Sequence, residues 1–135
     1  MQNASTLQFL LTLAKGIASQ FGPNCEVVVH DLATNDPERS IVAIENGHVT
    51  GRKVGDGPSH VVLEALRGNP EQLHDHLSYL TRTKDGKILK STTIYIRDDD
   101  GAPIGIFGIN YDITLMLAME NAIKQFTATE KDEKE

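Results

Sequence analysis

Four polar residues stand where alternation and turn chemistry would aim them at a ligand: His30, Arg52, Thr92 and Asn110. His30 closes the β-branched run from Cys25 to Leu32, and alternation sends His30 and Asp31 to opposite faces, so at most one of them joins Val28 on an inner face. His30 is taken as that residue. An imidazole there can hydrogen-bond a carboxylate or titrate near neutral pH, and a structural histidine satisfied by its neighbours is the plainer alternative. In the run Ile88 to Arg97, Thr92 shares a face with Ile88, Lys90, Ile94 and Ile96, while Ser91, Thr93 and Tyr95 take the other. Thr92 is therefore expected to point inward, where its hydroxyl needs either a backbone partner or a ligand. Asn110, near the end of the run Pro103 to Asp112, can show a cavity both a donor and an acceptor. Asp112 reads instead as a cap for the helix that follows. Arg52, in the loop Gly51 to Gly57, carries a planar fork suited to a carboxylate, against the plain reading of a solvated basic loop.

Other chemistries find less footing. The loop Gly51 to Gly57 lacks the spacing of a phosphate-binding loop, so its glycines read as bends. Ser59 and His60 open the next helix, where free backbone donors could assist an anion. His74, Asp75 and His76 suggest a metal, but neighbouring side chains of an extended segment diverge and no fourth ligand is evident, so no metal is expected. No cofactor is expected either, because no histidine sits on a helix in an aromatic, apolar setting that would suit haem. Cys25 reads as a small buried residue at a strand start, and being alone it can form no internal disulfide. No Gly-x-Ser-x-Gly elbow is present, and the carboxylates gather in turns such as Asp98 to Asp100, so an enzyme is not expected.

The elements that must position these residues can be traced along the chain. Leu7, Leu10, Leu11, Ala14, Ile17, Ala18 and Phe21 recur at helical spacing, Ser5 with Gln8 fits a capping box, and Gly22-Pro23 stops the helix. Cys25 to Leu32 and Ser40 to Glu45 read as an antiparallel pair around the loop holding Asn35, Asp36 and Pro37. A helix is expected from about Pro58 to Arg67, and Glu71 to Leu77 is expected to add a short helical piece. Three strands follow, Ser78 to Thr83, Ile88 to Arg97 and Pro103 to Asp112, with Asp85-Gly86 as a hairpin signal. Ile113 to Phe126 returns to helical spacing, capped by Asp112 or Thr114.

The 135 residues fit one domain, 1–126, followed by a charged tail at 127–135 expected to be disordered. A net charge of −6 disfavours contact with phosphate backbones. No stretch approaches the ~20 apolar residues of a membrane span, and a single cysteine suits a reducing cytoplasm.

The order helix, two strands, helical middle, three strands, helix is that of a PAS domain with flanking helices. The segments Gly22 to Leu32, Ile41 to Arg52, Leu89 to Asp98 and Pro103 to Thr114 resemble the YheO-like PAS family, over a span from about Leu7 to Phe126. That resemblance implies an α+β fold, with a five-stranded antiparallel sheet curled around a small cavity. It also implies a sensor domain of a bacterial transcriptional regulator. The DNA-binding helix-turn-helix of such regulators is expected to lie outside this chain. The expected ligand is a small polar metabolite, an amino acid or related carboxylate, held by His30, Arg52, Thr92 and Asn110. The wide apolar faces of the flanking helices imply a homodimer that transmits the signal. A structural dimerisation module with no ligand is the alternative.

Overall fold

The computed structural model describes residues 4–33 and 36–135. The order is α1 (Ala4–Phe21), β1 (Cys25–Asp31), β2 (Ile41–Glu45), α2 (His60–Arg67), β3 (His76–Arg82), β4 (Ile88–Arg97), β5 (Pro103–Asp112) and α3 (Thr114–Thr127). Short 3₁₀ turns lie at Pro37–Arg39, Gly47–Val49 and Pro70–Gln72. The five strands form one antiparallel sheet in the order β2-β1-β5-β4-β3. This is the α+β arrangement the resemblance implied.

Both faces of the sheet are covered, which is why β1 is buried at six successive positions instead of alternating. On one face α1 packs Leu10, Ala14 and Ala18 against Cys25, Val27, Val29 and Phe107, with Ile94, Ile96, Ile109 and Tyr111 around them. The alanines bring the helix axis close to the sheet, and Gly22, at φ 87°, ends the helix in the left-handed region. On the other face, α2 and the segment before β3 lay Val62, Leu66 and Leu73 over Tyr95 and Ile106. No residue of α2 is buried, so this cover is partial and leaves space beneath it.

Several boundaries depart from expectation. Ser5 lies inside α1 and does not cap it. Of the β1–β2 loop, Asn35 is outside the described residues, and Asp36 caps the 3₁₀ turn by accepting from the Glu38 amide at 3.1 Å. Helix α2 starts at His60, with Ser59 and not Pro58 at its mouth, the Ser59 hydroxyl accepting from the Val62 amide at 3.4 Å. The helical piece expected at Glu71 to Leu77 shrinks to Pro70–Gln72, and β3 begins at His76. Tertiary hydrogen bonds explain this: the Arg97 guanidinium donates to the Pro70 and Leu73 carbonyls, and Asp75 accepts from the Tyr95 amide at 2.9 Å. Those partners hold the backbone extended where local propensity alone allowed a helix.

Thr92 borders the cavity, but the isoleucine face of β4 it was grouped with does not. Thr92 pairs with Ile109, which pairs with Val27, and that row faces α1. The isoleucine face of β4 is thus the helix-packed core, and the partly polar face, with Leu89, Ser91, Thr93 and Tyr95, is the one turned toward the space under α2. An apolar face gains more from a packed helix than from a cavity, so the reading that equated "apolar" with "cavity" inverted the strand.

Candidate ligand cavity

A cavity of about 1340 Å³ lies between the sheet and its partial cover. Small-ligand pockets span roughly 300–1000 Å³, so a small metabolite would share this one with water. Cross-strand rows form its sheet side, and Asn110 and Tyr79 of the first row line it with all of the second and third. The first row places Glu26, Asn110, Ser91 and Tyr79 side by side on β1, β5, β4 and β3. The second runs Val28, Gly108, Thr93 and His76, and the third His30, Ile106 and Tyr95. The first row is polar, and the third sets His30 beside the apolar Ile106 and Tyr95, which meet Leu73.

Gly108 is required in the second row. A Cβ there would stand 2.9 Å from Val28 Cγ1, so only glycine lets the valine lie across β5. At the edge, residues 76 and 79 differ by an odd number and would ordinarily face opposite sides. A bulge between them, with Ser78 at φ 51°, brings both to the cavity, where the rings stack at 3.9 Å. The Tyr79 hydroxyl then lies 2.8 Å from Thr93 Oγ1. Thr92 borders the cavity, but its hydroxyl accepts from the Ser78 amide at 3.1 Å and so supports the bulge. Its need for a partner is met by the backbone.

His30 is buried, with Nδ1 2.8 Å from the Ser40 hydroxyl. No fully buried side-chain nitrogen or oxygen among the described residues lacks a partner, and Nε2 has none. That nitrogen is therefore the atom of His30 that meets the cavity. Burial, helped by the positive charge of Arg52, pushes the imidazole pKa from 6.5 down to about 4, so His30 is neutral at pH 7.

Arg52 projects from a loop fixed at four points. Asn46, in the left-handed region at φ 57°, donates its amide nitrogen to the carbonyls of Gly22 and Cys25. Gly47 packs so close to the Arg52 carbonyl that a Cβ would lie 2.6 Å from it. The Lys87 ammonium donates to the carbonyls of His48 and Val49 at 3.0 and 3.1 Å, and Thr50 is bound to Glu26. Arg52 is half-buried, and its guanidinium donates no hydrogen bond and forms no ion pair among the described residues. A cation so placed, with a spare imidazole nitrogen on the same wall, suits an anionic oxygen pair.

Asn110 lines the cavity as expected, but within a network. Its Oδ1 accepts from the Ser91 hydroxyl at 2.7 Å and its Nδ2 donates to Glu26 Oε1 at 2.8 Å. Glu26 Oε2 accepts from the Thr50 amide at 3.0 Å and its hydroxyl at 2.6 Å. Asp112 accepts from the Thr114 amide and hydroxyl in the turn before α3, but the N-cap position is Ile113 and not Asp112 or Thr114 as expected. All four sequence-level candidates, His30, Arg52, Thr92 and Asn110, border the cavity, Thr92 with its hydroxyl engaged by the Ser78 amide. Glu26, Tyr79 and Thr93 were missed. For Glu26 the signal existed: one carboxylate inside the apolar run Cys25 to Val29 must be exposed or fully bonded, and a doubly covered strand leaves only the second option.

His74, Asp75 and His76 serve separate purposes, Asp75 holding the Tyr95 amide and His76 stacking on Tyr79. Among the described residues no cluster of three or more potential ligands forms a metal site. No described helix is long and apolar enough to cross a membrane. Cys25 is buried, and burial raises its thiol pKa above the ordinary value.

Comparison with known proteins follows the same line. The family model described as a YheO-like PAS domain matches residues 1–128. The uncharacterized protein YheO of Escherichia coli K12 is 38% identical over 106 residues, covering 73% of this chain and 40% of its own length. The transcriptional regulator DauR of Pseudomonas aeruginosa is 29% identical over 126 residues, covering 93% of this chain and 56% of its own. The chain therefore spans about half the length of these relatives. Among solved structures, a light-oxygen-voltage domain studied with a flavin analogue superposes with a TM-score of 0.49 at 19% identity, covering 85% of this chain and 94% of that one.

Proposed function

Because the chain belongs to the YheO-like PAS domain family, we propose that it is the sensing part of a cytoplasmic bacterial transcriptional regulator, binding a small polar metabolite and signalling through a homodimer. The relationship to the regulator DauR supports the regulatory setting. In this reading DNA contact belongs to a helix-turn-helix outside the 135 residues, consistent with a net charge of −6 on this part.

The observation that carries the ligand reading is the unpaired Arg52 guanidinium at a cavity shared with His30 Nε2 and Asn110. Arg52 with His30 Nε2 favours a ligand with a carboxylate, Ile106 and Tyr95 beside His30 would receive its apolar part, and Asn110, four residues along β5 from Ile106 and so ~13 Å away, would meet a second polar group. Thr92, the fourth expected contact, enters only through the bulge that sets His76 and Tyr79. The dimer reading rests on the outward faces of α1 and α3, where Phe9, Phe21, Leu115, Met119, Ile123 and Phe126 are all more than half exposed.

A thermal-shift screen of amino acids and small carboxylates tests the ligand. A ligand that binds only the native state stabilises by about 2.7 kcal/mol at a hundredfold excess over Kd, a shift of several degrees. Arg52→Gln should weaken the response to a responding carboxylate by roughly 10- to 100-fold in Kd. Silence across the panel, or an Arg52→Gln variant that responds like the wild type, would favour the alternative of a structural dimerisation module.

A further inference from the structure

Glu26 is a fully buried carboxyl group with no ion pair among the described residues, and its two oxygens accept from three donors. Both Glu26 oxygens act as acceptors in this arrangement. Asn110 must therefore turn its nitrogen toward Glu26 and its oxygen toward Ser91, and the Ser91 hydroxyl must donate. The second Nδ2 hydrogen of Asn110 has no partner among the described residues, and Asn110 borders the cavity. At its other oxygen Glu26 holds both donors of Thr50, whose hydroxyl in turn accepts from the Arg52 amide at 3.3 Å.

We propose that Glu26 is a positioning residue that fixes which end of the Asn110 amide the cavity meets and anchors the loop from which Arg52 projects. One buried group thus sets two of the donors offered to a ligand, on β5 and on a loop remote from it in sequence. The consequence for ligand choice, a preference for an acceptor group at Asn110, rests on the sensing role proposed above. The orientation of Asn110 and the anchoring of Thr50 do not.

The substitution Glu26→Gln separates the two effects. The Thr50 backbone N–H cannot turn round, so the Gln oxygen must stay with Thr50 and the Gln nitrogen must face Asn110. Two N–H groups cannot face each other, so Asn110 rotates its amide by half a turn and presents oxygen to residue 26 and nitrogen to Ser91. Nitrogen-15 NMR on the ligand-free 135-residue protein reads this directly. With Glu26→Gln, the Asn110 side-chain amide resonances should move while the Thr50 amide stays protected from exchange. With Glu26→Ala, Thr50 should exchange roughly 10-fold faster, since the lost acceptor leaves its backbone donor unsatisfied. With Ser91→Ala, the Asn110 resonances should change less than with Glu26→Gln, because the carboxylate still orients the amide.

The proposal fails if Glu26→Gln leaves the Asn110 side-chain resonances in place, or if Ser91→Ala shifts them as far. It fails equally if a folded Glu26→Ala protein keeps Thr50 protected. Should Glu26→Ala not fold, the near-isosteric Gln variant decides alone. All measurements are made without ligand, so a failed ligand screen and a failed Glu26 test remain distinct results.

Discussion

His30 makes stability depend on pH in a direction opposite to that of a salt-bridged histidine. Its ring is 3% exposed, bonded through Nδ1 to Ser40, and neutral in the native state because burial and the Arg52 charge lower its pKa from 6.5 to about 4. Between those two values the unfolded chain binds a proton that the native chain refuses. The contribution is therefore complete above about pH 6.5, falls as the pH drops through the window and levels off below about 4. At about 1.4 kcal/mol per pKa unit the whole displacement is worth about 3 kcal/mol, of which about 2 kcal/mol is lost between pH 7 and pH 5. Urea unfolding of the wild type and of His30→Gln at pH 7, 6 and 5 isolates this share, because the other histidines and the carboxylates titrate in both proteins. The stability of the wild type relative to the variant should shrink by about 2 kcal/mol from pH 7 to pH 5. Equal pH slopes in the two proteins, or a His30 ring that titrates near 6.5 by NMR, would refute the reasoning.

Two further perturbations probe the wall and the outer faces. Gly108→Ala puts a Cβ 2.9 Å from Val28 Cγ1 and should cost about 1–3 kcal/mol in urea unfolding, with Val28→Ala in the same chain recovering part of the loss. If the double variant is no more stable than additivity predicts, the two residues are not in the contact described. On α3, Ile123→Glu places a charge within the exposed apolar stripe. Under the dimer reading the wild type sediments as a dimer at micromolar concentration and the variant as a monomer. A monomeric wild type, or a variant that remains a dimer, would remove that reading.

The legible part of the fold was the part written in periodicity. Strands β4 and β5 begin and end where alternation and turns place them, at Ile88, Arg97, Pro103 and Asp112. What escaped was decided by partners far away in sequence. The segment Glu71 to Leu77 is locally competent for helix, and only the carbonyl-binding reach of Arg97 and the Asp75 contact to Tyr95 hold it extended. The face of β4 was misassigned because alternation gives two faces without saying which one meets a helix. A sheet covered on both sides needs that second fact. The bulge at Ser78 left no sequence mark, since a serine at φ 51° is held there by the Thr92 hydroxyl and not by its own preference. At the cavity, His30 and Asn110 were readable as polar residues near the ends of apolar runs, and Arg52 as the forked cation of a glycine-spaced loop. The network that orients them was not, because Glu26 and Thr50 are 24 residues apart and Glu26 and Asn110 are 84 apart.

The proposed signalling role has a short structural path. Asn110 sits two residues before Asp112, and Asp112 ties the turn into α3 by accepting from the Thr114 amide and hydroxyl. The same junction is tied to β4, where the Ile113 amide donates to the Ile88 carbonyl and the Ile88 amide donates to Thr114 Oγ1 at 2.9 Å each. Asn110 is itself held between Glu26 on β1 and Ser91 on β4. A ligand that pulled on its amide would therefore work against the central strands, which are packed and stiff, and the base of α3 is the nearest place where backbone can turn with fewer constraints. No residue of α3 is buried, so its angle is set at this junction and not by packing along its length. A coupling of about 1–3 kcal/mol between cavity and helix would be sufficient to change the balance between two dimer arrangements. For that coupling to exist, the ligand must favour one of the two α3 angles over the other, because equal affinity for both would shift nothing.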